Sequence, residues 1–176
     1  MIPTLLPPWL SGDLSLISGF LTWIVVLYWL WRSGWKIQRR YFIEATQKPL
    51  TRNAIVWSAG IVGAIFFVAA QMRPGMPGVM TVAMIGALSA YVDARTHRLP
   101  NAYTVAMAIG VVLGLAVSGV ISPLWQERLF GALIGALIWF VPIALLNRLP
   151  GGMGGGDVKL GPVLGALVGS VGLHAA

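Results

Sequence analysis

Six stretches of the chain are apolar over the length of a helix, and none alternates apolar and polar positions with the period of a strand. They cover residues 14–31, 54–72, 77–92, 102–121, 129–146 and 158–173. A hydrocarbon core of about 30 Å needs about 20 helical residues, whereas a membrane β-strand would need about ten alternating ones. The pattern therefore predicts an all-α integral membrane protein with about six transmembrane helices in one polytopic bundle.

Composition strengthens this prediction. Of the 176 residues, 57% are hydrophobic and 10% are charged, where soluble proteins average about 25% charged residues. The pI is near 10.6, but the basic residues flank the apolar stretches and no soluble module carries them. We therefore expect the lipid bilayer, and no nucleic acid, as a partner.

The basic residues also predict the orientation of the bundle. One side holds ten of the twelve: Arg32, Lys36, Arg39, Arg40, Lys48, Arg52, Arg95, Arg98, Arg148 and Lys159. Residues 1–12 contain neither Lys nor Arg, so they do not resemble a cleaved signal peptide. The positive-inside rule then predicts that the amino terminus is outside and that the side with these ten basic residues faces the cytoplasm.

Loops between the spans are short, which leaves no room for a separate soluble domain.

Two of the five acidic residues stand where an apolar stretch meets a polar segment. Asp93 ends the third predicted span, and Asp157 follows a run of glycines and begins the sixth. Ionisable residues at membrane depth are functional candidates, and this topology takes both carboxylates to the cytoplasmic face. They are 64 residues apart in sequence, so only packing of the third and sixth spans can bring them together.

The available chemistry is that of carboxylates. The chain has no cysteine and two histidines, so we expect neither a metal site nor a cofactor. Two adjacent carboxyl groups share a proton near neutral pH, and such a pair can activate water and polarise a peptide carbonyl. Gly154, Gly155 and Gly156 leave room for a backbone to pass close to Asp157 and can adopt positive φ.

Structural roles stay open for the same residues. Asp93 could form an ion pair with Arg95 or Arg98 at the interface. Asp157 could be the N-cap of the sixth helix, with Lys159 extending outward. Arg95, His97 and Arg98 are more typical of lipid-headgroup anchors than of catalysts, and Glu44 is expected to pair locally.

Glycines four residues apart, at 110/114, 131/135, 161/165 and 165/169, favour close helix packing.

At its two aspartate motifs the chain resembles the type IV prepilin peptidases, which are GxGD-type intramembrane aspartic proteases. The matching residues are Asp93 with the Arg-x-x-x-Leu-Pro-Asn element of residues 95–101, and Gly-Met-Gly-Gly-Gly-Asp-Val-Lys-Leu at 152–160. The resemblance covers roughly residues 77–172. It implies that Asp93 and Asp157 form the catalytic dyad, framed by Gly154 and Gly156, with Gly155 and Lys159 as supporting residues of the loop.

The resemblance also implies a substrate and a location. The expected substrate is a prepilin or pseudopilin precursor, cleaved at the cytoplasmic membrane face after a glycine that precedes a hydrophobic segment. The expected location is the bacterial inner membrane. Residues 1–76 are predicted to form an amino-terminal transmembrane hairpin with a basic cytoplasmic loop, and residues 77–176 the peptidase core. That core is shorter than in family members that continue for two further spans.

Some family members also N-methylate the cleaved product and carry a cytoplasmic domain with paired Cys-x-x-Cys motifs. Because this chain has no cysteine and residues 31–53 show no clear methyl-donor site, we expect peptidase without methyltransferase activity. Three alternatives remain: an inactive or incomplete relative that acts as a pilus or secretion assembly subunit, a small proton-coupled transporter, and a presenilin-type protease. Partnership with the pilus machinery or a second copy of the chain also stays open.

Overall fold

A computed structural model describes residues 8–70, 75–150 and 154–171 of the chain. Within these residues the protein consists of helices and short connections. The elements are α1 (Pro8–Trp29), a π-helical turn (Leu30–Gly34), α2 (Trp35–Glu44), α3 (Arg52–Ala69), α4 (Met76–Thr96), α5 (Asn101–Ile121), α6 (Trp125–Asn147) and α7 (Gly155–Val171).

The helices confirm the predicted membrane architecture. Five helical segments are long and apolar enough to cross a membrane: Gly12–Glu44, Arg52–Ala69, Met76–Thr96, Asn101–Ile121 and Trp125–Asn147. The sixth predicted span corresponds to α7, which has 17 described residues and a length of about 25 Å at about 1.5 Å per residue. The predicted ends of the second and sixth spans, at residues 72 and 173, lie outside the described residues.

The main difference from the sequence prediction concerns residues 32–44, which were expected to lie in a basic loop. They continue the first helix instead. The connection to α3 is therefore limited to residues 45–51. The reason is packing: Gln38 and Phe42 lie one helical turn apart and are both buried, while Lys36, Arg39 and Arg40 are exposed. One face of α2 thus contacts the bundle and the opposite face carries the charges.

The bundle is organised around α4, which is the most buried of the five long apolar helices. Its apolar side chains form one core cluster with residues of α1, the π-helical turn, α2, α3 and α5. Members of this cluster include Leu30, Phe42, Ile55, Met84, Val92, Tyr103 and Met107. Residues on both sides of position 76 contribute to it. Large apolar side chains on the outer faces, such as those of Leu137 and Phe140 on α6, are exposed, as expected for helices in contact with lipid.

Glycines allow α6 and α7 to pack backbone against backbone, as their spacing predicted. A Cβ atom on Gly131 would collide with the carbonyl group of Gly169, and one on Gly135 would collide with that of Gly165. Gly114 of α5 similarly lies against Gly75 and Gly78 at the start of α4. Close backbone approach of this kind lets helices associate where lipid supplies no hydrophobic driving force.

Candidate active site

Asp93 lies in the last turn of α4, where the chain turns sharply into α5. His97 ends the helix in the left-handed conformation, with φ of 51° and ψ of 34°, and its backbone N–H donates to the carbonyl of Asp93 at 2.7 Å. The hydroxyl of Thr96 donates to the carbonyl of Val92 at 2.8 Å. Pro100 then precedes α5, where its fixed φ suits the entry to a helix. These contacts fix the backbone that carries Asp93.

Asp157 lies in the first turn of α7. Its backbone N–H donates to the carbonyl of Gly154 at 3.0 Å, so Asp157 is inside the helix and is not its N-cap, which corrects that interpretation. Gly155 and Gly156 also belong to α7, and only Gly154 of the three remains in the connection. The glycines at 151 and 152 lie outside the described residues.

The positive φ that the glycines before Asp157 can adopt is not used by Gly154, Gly155 or Gly156. Among the described glycines, Gly75 alone has a positive φ. Gly156 has a different role, because a Cβ at this position would lie 2.8 Å from Cβ of Leu99. The missing side chain lets the start of α7 approach the turn between α4 and α5. At Gly155, by contrast, a Cβ would meet no described heavy atom within 4 Å.

The two aspartates line the same cavity. It has a volume of about 520 Å³ and lies between α2, the α4–α5 turn and the start of α7. Most of its lining is charged, polar or glycine: Arg40, Tyr41, Glu44, Asp93, His97, Arg98, Leu99, Asn101, Gly154, Gly155, Gly156, Asp157 and Lys159. The structure thus brings together all six site residues predicted from the sequence.

Neither aspartate carboxylate forms an ion pair or hydrogen bond with another side chain in the described part of the chain. The proposed partners of Asp93 are engaged elsewhere: Arg98 binds Glu44 at 3.2 Å, and the guanidinium of Arg95 lies 5.8 Å from the ring centre of Tyr91. The ion-pair interpretation of Asp93 is therefore wrong. Both carboxylates are exposed to the cavity, where a water molecule or a peptide could reach them.

Lys159 connects the two halves of the site. Its ammonium group donates a hydrogen bond of 2.9 Å to the side-chain oxygen of Asn101, the first residue of α5. Lys159 therefore lines the cavity and does not extend outward as the alternative interpretation supposed. Because Asn101 follows the turn after Asp93 and Lys159 lies two residues after Asp157, this bond joins the two aspartate motifs.

Sequence reasoning missed the contribution of α2 to the cavity. Arg40, Tyr41 and Glu44 form one of its walls. Glu44 does pair locally as predicted, with Arg40 at 2.9 Å, but it also binds Arg98 across the cavity. The buried, helically spaced Gln38 and Phe42 were the available signal, since they indicate that this segment packs as a helix beside the apolar spans.

The model for the type IV leader peptidase family matches residues 79–175. The chain belongs to this family. It is similar to the prepilin leader peptidase/N-methyltransferase of Bacillus subtilis (strain 168), with 34% identity over 126 residues. The aligned region covers 68% of this chain and 48% of that relative, so the chain spans about half the length of the curated relative. No solved structure matches the chain.

Membership of the type IV leader peptidase family bears directly on the cavity. Both aspartates, the α4–α5 turn and the start of α7 lie within the matched residues, whereas α2 precedes them. In this member of the family the cavity is therefore built from the region that matches the family model and from a helix that lies before it.

Proposed function

We propose that this protein is a membrane aspartic endopeptidase that removes the leader peptide from prepilin-like precursors, with Asp93 and Asp157 as its catalytic pair. The observation that carries the proposal is that two acids 64 residues apart in sequence line one cavity in a member of the type IV leader peptidase family. No described side chain pairs with either carboxylate, which supports the proposal further, because a structural ion pair would occupy a carboxylate that the chemistry needs.

The proposed reaction is peptide hydrolysis. One carboxylate takes a proton from a water molecule as the water oxygen attacks the peptide carbonyl carbon, while the protonated carboxyl group donates a hydrogen bond to the carbonyl oxygen. The carbon–nitrogen bond then breaks, and the leaving nitrogen receives a proton from the carboxyl that accepted one. The products are a leader with a new carboxyl terminus and a mature protein with a new amino terminus.

We further propose that the cavity faces the cytoplasm of a bacterium and that cleavage follows a glycine next to a hydrophobic segment. Support comes from the basic residues at this end of the bundle and from the resemblance of the two motifs to prepilin peptidases. The cavity lies at one end of the apolar bundle, between α2, the α4–α5 turn and the start of α7, which suits a precursor with a polar leader and an apolar helix. The proposal does not extend to the methyl transfer that the name of the Bacillus subtilis relative includes.

Replacement of either aspartate by asparagine tests the pair. The amide can neither accept the proton from water nor act as an acid, so Asp93→Asn and Asp157→Asn should each lower cleavage of a prepilin-like substrate by about 10²–10⁴-fold. The measurement is product formation by the purified, detergent-solubilised chain. Asp13→Asn is a matched control, because Asp13 is an exposed aspartate of α1 outside the cavity.

Retained cleavage in either variant would contradict the assignment of that aspartate. An intact, folded wild-type chain that cleaves no prepilin-like substrate would contradict the proposed activity itself. The helical content of each variant, measured by circular dichroism, separates a loss of chemistry from a loss of fold.

A further inference from the structure

Glu44 occupies an unusual position, because it is an acidic residue of α2 that binds two arginines at the edge of the candidate active site. Its carboxylate accepts from Nε of Arg40 at 2.9 Å and from Nη1 of Arg98 at 3.2 Å. All three residues line the cavity that contains Asp93 and Asp157. Two of the cationic groups that line the cavity are thus already engaged by a third acid.

The position of Glu44 is fixed by the packing of α2. Phe42, two residues earlier, is buried and stacks on Tyr91 of α4, with ring centres 5.9 Å apart and an interplanar angle of 15°. Gln38 is also buried, and its side-chain amide donates to the carbonyl of Leu50 at 3.0 Å. Tyr91 in turn lies two residues before Asp93, so α2 and the end of α4 are held together at the cavity.

Charge balance shows why this position matters. Three elements contribute charged or titratable side chains to the cavity. These side chains are Arg40, Tyr41 and Glu44 from α2, then Asp93, His97 and Arg98 from α4 and the turn after it, and Asp157 and Lys159 from α7. Lys159 is held by its bond to the neutral Asn101, and the two arginines are further cations of the lining that could pair with the aspartates. An arginine bound to a catalytic carboxylate would hold it in the charged form and would obstruct the approach of water.

We infer that Glu44 is a positioning residue that binds Arg98 and so keeps the carboxylates of Asp93 and Asp157 free for catalysis. The inference rests on the proposed catalytic pair. Arg98 is the more important of the two arginines, because it lies on the turn that directly follows the helix of Asp93. The side chains of Glu44 and Arg98 are 41% and 62% exposed, so the interaction weakens as salt is raised.

Glu44→Gln tests this role, because the amide keeps the shape of the side chain but no longer competes for the guanidinium. The first readout does not depend on catalytic activity. It is the extent of carbodiimide labelling of Asp93 and Asp157 at one mildly acidic pH and low salt, which mass spectrometry quantifies. Pairing with Arg98 shields a carboxylate and keeps it ionised. We expect labelling of at least one aspartate, and the rate of leader cleavage, to fall several-fold.

Two further variants separate this mechanism from a general loss of structure. Glu44→Gln combined with Arg98→Gln removes the released cation and should restore labelling. Glu127→Gln removes an acid from the first turn of α6, outside the cavity, and should label like the wild type. Higher salt should also reduce the difference between Glu44→Gln and the wild type.

Unchanged labelling of both aspartates in Glu44→Gln would overturn the inference, and so would a decrease that the Arg98→Gln change does not reverse. These outcomes are distinct from failure of the proposed function. A chain that labels as expected but cleaves no precursor would contradict the peptidase activity alone, whereas a chain that cleaves but shows no effect of Glu44→Gln would contradict this inference alone.

Discussion

Gly156 shows how one missing side chain can determine the geometry of the candidate active site. It lies where the start of α7 meets Leu99 of the α4–α5 turn, so it joins the segment of Asp157 to that of Asp93. The sequence identified this glycine as a site residue, both for the room it leaves beside Asp157 and for its conformational freedom. In the structure Gly156 has no positive φ, and the room is filled by Leu99.

We predict that Gly156→Ala impairs the proposed peptidase activity while Gly155→Ala does not. A methyl group at 156 would contact Cβ of Leu99 at 2.8 Å, and overpacking of this kind typically costs about 1–3 kcal/mol. The start of α7 would shift and carry Asp157 away from Asp93. Rates of precursor cleavage should therefore fall at least several-fold for Gly156→Ala.

Gly155→Ala is the matched control because both glycines lie in the first turn of α7 and neither has a positive φ. A methyl group at 155 would meet no described heavy atom within 4 Å. Equal activity of the two alanine variants would show that close packing on Leu99 is not required for catalysis.

At the scale of elements, the wide π-helical turn between α1 and α2 explains a buried polar contact. The N–H of Trp35 donates to the carbonyl of Leu30, five residues earlier, whereas a regular α-helix uses the carbonyl four residues earlier. This shift in hydrogen-bond register changes which nearby backbone carbonyls accept bonds within the helix. The hydroxyl of Tyr103 on α5 donates to the carbonyl of Gly34 at 3.0 Å, and this bond is buried. It therefore joins the first helix to the helix that follows the Asp93 turn.

Tyr103→Phe should lower the stability of the protein. The change leaves the carbonyl of Gly34 buried without this partner, and a loss of that kind typically costs about 1–3 kcal/mol. The expected result is a lower unfolding midpoint in detergent, measured by circular dichroism. Tyr28→Phe is the control, because Tyr28 on α1 is 60% exposed and should lose little. A variant as stable as the wild type would show that water replaces the hydroxyl.

The elements also show what could be predicted from sequence. Apolar length placed the start of α5 within one residue and its end at Ile121. It failed for α2, since Lys36, Arg39 and Arg40 look like a solvent loop unless Gln38 and Phe42 are recognised as a buried stripe. The meeting of Asp93 and Asp157 depends on packing between distant helices, which local pattern cannot determine.

At the scale of the whole molecule, the polar contacts between segments collect at one end of the bundle. Tyr103 with Gly34, Glu44 with Arg98, and Lys159 with Asn101 all lie there. The same end carries most of the basic residues, whereas the faces between the ends are apolar. In the part of the chain that the structure describes, the candidate site therefore lies at the end of the bundle that is richest in these contacts and in basic residues.

The positive-inside rule predicts that this end faces the cytoplasm. The absence of cysteine from the sequence allows a direct test with single cysteines. Lys48→Cys, in the connection before α3, should resist a membrane-impermeant maleimide in intact spheroplasts and react after lysis. Pro123→Cys, in the exposed connection between α5 and α6, should react in intact spheroplasts. The opposite labelling pattern would reverse the orientation.

The placement of the two aspartates on separate helical hairpins also has a consequence for biosynthesis. Asp93 belongs to α4 and Asp157 to α7, the last described helix, and the two meet only when the second hairpin has docked on the first. On the proposed assignment, a nascent chain that has delivered α1 to α6 to the membrane carries half of a catalytic pair. Proteolytic capacity would then arise only after α7 has been delivered and has docked, so a translation product interrupted before α7 would be harmless to neighbouring membrane proteins.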